Sequence, residues 1–132
     1  MPELPMSDQI STFFEDYNRT FQGADGAAIA MFYHVPSITM RGDGSTRCFQ
    51  SREELASFFQ PVAEGYQREG SEGASFRNLV VQPIGGRSVL ATMDWQLMRA
   101  DGSPVRQWRQ SYNLLRVDGR WQIFVATFHV QG

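Results

Sequence analysis

A single cysteine, Cys48, excludes an internal disulfide and a cysteine-rich metal site. That usage is compatible with a reducing, cytoplasmic setting. Histidine is nearly as scarce. His34 and His129 are the only two, and with no convergent carboxylate cluster they predict no metal centre. A net charge of −2 leaves no basic surplus for nucleic acid or anionic lipid, so neither partner is expected. Arginine dominates the cations without forming a run. No apolar run approaches bilayer length, and the start, Met1 to Gln9, lacks the basic region and apolar core of a signal peptide. Neither the Gly85-Gly86 pair nor Gly42 and Gly44 has the strand–turn–helix context of a phosphate loop, so no cofactor is expected. No internal repeat or low-complexity segment interrupts the chain.

What is present is a globular composition, 42% hydrophobic and 20% charged over 132 residues, which reads as one domain with a core of its own, residues 1–132. The chain is organised around Val105 to Val130. Two long alternating runs meet at Asp118-Gly119, a strong hairpin signal because the tight turn needs positive φ. If Val117 pairs with Arg120, one face carries Trp108, Gln110, Tyr112 and Leu114 with Trp121, Ile123, Val125, Thr127 and His129. The other carries Arg109, Ser111, Asn113, Leu115, Gln122, Phe124, Ala126, Phe128 and Val130. Both faces are too apolar to sit bare in water. The first mixes rings with hydrogen-bonding groups, as a pocket wall does.

In chain order, Met1 to Met6 holds two prolines and reads as an extended arm. Ser7 is placed to cap a helix whose stripe is Ile10, Phe13, Phe14, Tyr17 and Phe21, ending at Gly23. Asp25 caps a second helix, residues 26–33, which Pro36 stops. Ser37 to Met40 and Thr46 to Gln50 form two short strands. Ser51 and Glu54 make a capping box in which Glu54 reaches back to the Ser51 N–H. The helix that follows carries Leu55, Phe58, Phe59, Val62 and Tyr66, with a kink or break expected at Pro61. Strands over Phe76 to Pro83 and Ser88 to Arg99 then lead into the hairpin as a four-stranded meander. A four-residue connection after Arg99 places Met93, Trp95 and Leu97 beside Tyr112, Gln110 and Trp108; a slip of one residue would turn Asp94 into the pocket instead. Helices first and a meander after make an α+β domain with helices over one face of a curved antiparallel sheet.

The Phe13/Phe14/Tyr17 helix, Gly23-Ala24-Asp25 leading to Ile29-Ala30-Met31-Phe32, the Ser51 to Leu55 helix start and the Val117 to Ile123 hairpin occur in one order. In that order they resemble the nuclear transport factor 2-like superfamily, which includes SnoaL-like polyketide cyclases and ketosteroid isomerases. The resemblance covers about residues 8 to 130. It implies a cone-shaped α+β roll of the cystatin-like type, three N-terminal helices on the sheet, with a pocket between helices and concave face. It also implies a homodimer through the outer sheet face, which would cover Leu115, Phe124, Phe128 and Val130. The ketosteroid isomerases use a tyrosine, a general-base aspartate and a second acid. Tyr17 takes the first position by alignment, Met40 the second and Ser111 the third, so the similarity carries over one group of three.

Candidate acid–base groups are His34, at the expected pocket mouth, His129, Tyr17, and Asp94 if its register turns it inward. Candidate ligand contacts are Tyr33, Met40, Asn78, Trp95, Trp108, Gln110 and Tyr112. Each has an ordinary structural role beside the functional one: a satisfied histidine, a packed ring, or, for Asp94 and Arg109, a surface ion pair. Two functional classes follow. One is a pocket for a small apolar or cyclic molecule, with isomerisation, cyclisation or dehydration by positioned acid–base groups. The other is a non-catalytic ligand-binding or protein-interaction module.

Overall fold

The computed structural model describes residues 4–132, and the first half of the expected arm, Met1 to Glu3, lies outside them. Helix α1 spans Met6–Gln22, α2 Gly26–Ala30 and α3 Arg52–Arg68. The strands are β1 Tyr33–Met40, β2 Thr46–Phe49, β3 Gly73–Pro83, β4 Ser88–Met98, β5 Pro104–Val117 and β6 Arg120–Phe128. They form one curved six-stranded sheet in the order β2-β1-β6-β5-β4-β3. Every neighbouring pair is antiparallel except β1 and β6, which run parallel. The fold is thus α+β, three helices against a mixed rather than wholly antiparallel sheet.

The helices form where their stripes can be buried. Ile10, Phe14 and Tyr17 of α1 and Leu55, Phe59 and Ala63 of α3 are buried, and join Val89, Ala91, Met93, Trp95, Tyr112, Leu114, Ile123 and Ala126 of the sheet in one core. Met6 already belongs to α1, and the residue preceding the helix is Pro5, which makes no side-chain cap; Ser7 lies inside the first turn. Proline fits such a start because no intrahelical partner awaits its missing N–H. Asp25 caps α2 as expected, accepting from the Ala27 and Ala28 N–H groups at 3.1 and 3.2 Å. Ser51 caps α3 by accepting from the Glu54 N–H at 3.2 Å. Glu54 reaches back one residue further than expected, accepting from the Gln50 N–H at 3.3 Å. Pro61 does not divide α3, whose buried stripe continues on both sides of it.

The second helix is shorter than its sequence pattern suggests. It ends at Ala30, and Tyr33 already opens β1. Pro36 therefore sits inside a strand, after a cis Val35–Pro36 peptide, and does not stop a helix. The β1–β6 ladder is irregular between Tyr33 and Ile38, so a residue without an N–H is accommodated there.

The β4–β5 register sets Trp95 opposite Trp108, Met93 opposite Gln110 and Asp94 opposite Arg109. Met93, Trp95 and Leu97 are buried on the concave face, the side the sequence suggests, but the pairing is displaced by two residues from the expected Met93 beside Tyr112, a slip that preserves facing. The β5–β6 hairpin pairs Val117 with Arg120 and Leu114 with Ile123 as expected, but then Asn113 with Val125. One extra residue, Phe124, is inserted in β6, a β-bulge. Beyond it every side chain exchanges faces relative to perfect alternation. Ala126 and Phe128 turn to the concave side, and Val125, Thr127 and His129 turn outward.

Candidate functional site

Between the concave sheet face, α1 and α3 lies a cavity of about 1150 Å³. Its depth is tyrosine and tryptophan. Tyr17 comes from the fourth turn of α1, Tyr33 from the start of β1, and Tyr112 and Trp95 from the middle of β5 and β4; all four are buried. The Tyr17 and Tyr33 hydroxyls are 2.7 Å apart, and the Trp95 indole N–H donates to the Tyr112 hydroxyl at 3.0 Å. Burial pushes the Tyr17, Tyr33 and Tyr112 hydroxyls well above the ordinary tyrosine value of 10.0. They stay protonated at neutral pH and can donate to a ligand oxygen, but cannot serve as bases there.

Nearer the opening, Trp108 lies parallel to Phe128 with ring centroids 5.8 Å apart and stacks on Trp95 at 6.4 Å. Its indole N–H donates to Gln110 Oε1 at 2.8 Å. Tyr66 of α3 faces Trp108 at 6.2 Å, and burial raises its hydroxyl pKa against the pull of Arg106. The mouth is charged: Arg41, Arg47, Arg68 and Arg106 stand with Glu69 and Glu72. Arg106 is ion-paired with Glu69.

Of the residues named from sequence, Tyr17, Tyr33, Met40, Trp95, Trp108, Gln110 and Tyr112 line this cavity. His34, His129, Asp94 and Asn78 do not. His34 belongs to β1, next to inward-facing Tyr33, so it points outward; its Nδ1 is 2.8 Å from the Pro36 carbonyl and its ring packs on Phe124. The expected place at a pocket mouth follows from extending the second helix to Tyr33, which in the structure opens β1. His129 is carried outward by the β6 bulge, to a 2.8 Å hydrogen bond between its Nε2 and Ser111 Oγ. Asp94 faces outward in the observed register. It accepts from Asn78 Nδ2 at 2.8 Å and Arg109 Nη1 at 3.0 Å, contacts that hold its carboxyl below the usual range. Asn78 was expected inside. It has φ +58° at an irregularity in the β3–β4 ladder, and its amide is spent on Asp94.

Phe128, Tyr66, Thr39 and the mouth arginines are among the lining residues that the sequence does not single out. Unbroken alternation puts Phe128 on the outer face, which the bulge overturns. The mouth arginines have no periodic signature, since Arg41 and Arg47 flank a turn. Among the described residues no group of three His, Cys, Asp or Glu is arranged to hold a metal ion. Among them also, no helix is long and apolar enough to cross a membrane.

Residues 6–131 match the family described as NTF2-like protein (DUF6841), and the chain belongs to it. No curated protein matches the chain in sequence. Solved structures share its fold. Aln2 from a Streptomyces species superposes with a TM-score of 0.78 at 14% identity, covering 97% of this chain and 92% of that one. A putative calcium/calmodulin-dependent protein kinase II association domain from Xanthomonas campestris gives 0.74 at 14% identity, covering 100% and 91%. An NTF-2 like protein of unknown function from Shewanella oneidensis gives 0.71 at 16%, covering 95% and 98%. At these identities the likeness is one of fold.

Proposed function

We propose that this domain binds a small, ring-bearing, largely apolar molecule inside its cone. The observation that carries the reading is the cavity of about 1150 Å³ walled by Tyr17, Tyr33, Trp95, Trp108 and Tyr112. Its size suits a drug-sized ligand, and its rings offer flat surfaces for stacking beside a few fixed hydrogen-bond donors. The absence of His34, His129 and Asp94 from the lining favours binding over acid–base turnover, because the carboxylates that remain, Glu69 and Glu72, stand at the mouth. The neutral probe 1-pyrenebutanol tests this. Saturable one-to-one binding that quenches tryptophan emission is expected, and Val62→Trp, which adds a ring to the α3 wall, should block it. A folded protein that shows no saturable binding would remove the reading.

The second part of the proposal is a homodimer through the outer sheet face. Half-buried Leu115 and Phe124, with exposed Ile38, give that face apolar surface that a second copy would cover, whereas Val130 lies past the end of β6 and, beyond the bulge, no longer has the outer parity. Phe128, turned into the cavity, is not part of it. Sedimentation of the protein and of Phe124→Glu tests this: a dimer that the substitution converts to monomer is expected, and a monomeric parent protein at micromolar concentration refutes it.

A further inference from the structure

The positive charge at the cavity mouth is unevenly used. Arg106 is committed to Glu69. Arg41 and Arg47, on the hairpin formed by β1 and β2, have no carboxylate within 4 Å among the described residues. Their guanidinium carbons lie 5.3 and 5.5 Å from the centroid of one ring, Phe58 of α3, and Arg47 also lies 5.3 Å from Phe49. Asp43, in the turn between them, acts on Arg41 only through space, for its Oδ1 already accepts from the Ser45 N–H and hydroxyl at 2.9 and 2.6 Å. Thr39 pairs directly with Arg47 across the two strands and lines the same cavity. Its Oγ1 is buried and has no hydrogen-bond partner among the described residues.

A guanidinium held over an aromatic ring keeps its in-plane N–H donors free, and those donors match the two oxygens of a carboxylate. Two such groups and a buried, unpaired hydroxyl thus share one wall of a cavity whose depth is lined by rings. We propose that the ligand is an amphipathic acid, with a ring-bearing body among Tyr17, Trp95 and Trp108 and a carboxylate head at Arg41, Arg47 and Thr39. A singly charged head suits the mouth better than a dianionic phosphate, because Glu69 and Glu72 stand at the same opening and oppose each added negative charge. This inference rests on the cavity being a ligand site.

The test compares 1-pyrenebutyrate with 1-pyrenebutanol, which share a body and differ in the head. The parent protein is expected to bind the carboxylate about tenfold or more tightly, a preference that shrinks with added salt. In R41Q/R47Q the preference should fall to about onefold, whereas R19Q, an exposed α1 residue paired with Asp16 and outside the cavity lining, should keep it. Arg41 and Arg47 are both solvent-exposed, so the fold is expected to persist; if the double variant proves unstable, R47Q alone gives the same reading. No preference in the parent protein, or one that survives R41Q/R47Q, overturns the carboxylate subsite while leaving the cavity reading intact. Failure of both probes to bind the folded protein removes the cavity reading and this inference with it.

Discussion

Tyr17 Oη and Tyr33 Oη stand 2.7 Å apart in the depth of the cone, one carried by α1 and the other by β1. This hydrogen bond ties the N-terminal helix to the sheet at the point where both rings are buried. Removing one partner leaves the other hydroxyl buried, whereas removing both leaves two apolar rings. Tyr17→Phe or Tyr33→Phe alone should therefore cost about 1–3 kcal/mol, and the double substitution less than the sum of the two. Chemical denaturation of the four species measures the coupling; additive losses would show that the pair contributes nothing as a pair.

The same burial predicts an alkaline limit. Tyr17, Tyr33 and Tyr112 have folded-state values raised well above the 10.0 of an exposed tyrosine. A group whose folded value is raised binds its proton more tightly in the native state. Its contribution is complete below the unfolded value and is lost as pH climbs from there through the folded value. Stability should be flat with respect to these groups up to about pH 9, then fall by as much as ~1.4 kcal/mol per pH unit for each tyrosine. Melting temperatures across pH 8 to 11 check this. A Tyr112→Phe variant should show a shallower alkaline slope than its parent.

Much of this arrangement was legible in the sequence. The Asp118-Gly119 turn fixes Val117 opposite Arg120, and the facing of Tyr112, Gln110 and Trp108 follows from alternation alone. Tyr17 sits on a helical stripe that has to be buried somewhere. What alternation cannot show is where it fails. Nothing in the run Ile123 to Val130 marks Phe124 as an extra residue, since a bulge needs no glycine there, and one hidden residue exchanged Phe128 for His129 inside the cavity. Phe32 and Tyr33 follow a helical pattern closely enough to extend α2 on paper, but in the fold the backbone at Phe32 is taken up by β6, the Ile123 N–H donating to the Phe32 carbonyl at 2.9 Å. Arg41 and Arg47 escaped because their common feature, proximity to Phe58, is tertiary.

Gly26 predicts a packing failure rather than a chemical one. A Cβ at this position would meet the Ala56 carbonyl oxygen at 2.4 Å and the Gln60 backbone N at 3.0 Å. The side chain of Gln60 joins the same contact, accepting from the Gly26 N–H at 2.7 Å and donating to the Ala24 carbonyl at 2.8 Å. Backbone atoms of α3 cannot yield as a flexible side chain can. Gly26→Ala should destabilise by roughly 1–3 kcal/mol even though alanine favours helix over glycine. Thermal unfolding decides the sign, and an unchanged or raised melting temperature would mean that α2 and α3 are free to separate.

Phe128 and His129 are neighbours whose roles the bulge separates. Phe128 stacks on Trp108 within the cavity wall, 9° from parallel, whereas His129 is bonded to Ser111 on the opposite face of the sheet. Without the bulge their positions would be reversed. Phe128→Ala should remove one side of the Trp108 stack, shift tryptophan emission and weaken 1-pyrenebutanol binding by about tenfold, in line with the ~0.5–1.5 kcal/mol of an aromatic pair plus lost contact area. His129→Ala should leave that affinity within about twofold, because its ring touches no part of the cavity. Parallel titrations of the two variants distinguish the registers directly: loss of binding in His129→Ala with retention in Phe128→Ala would restore the unbroken alternation and place the histidine inside.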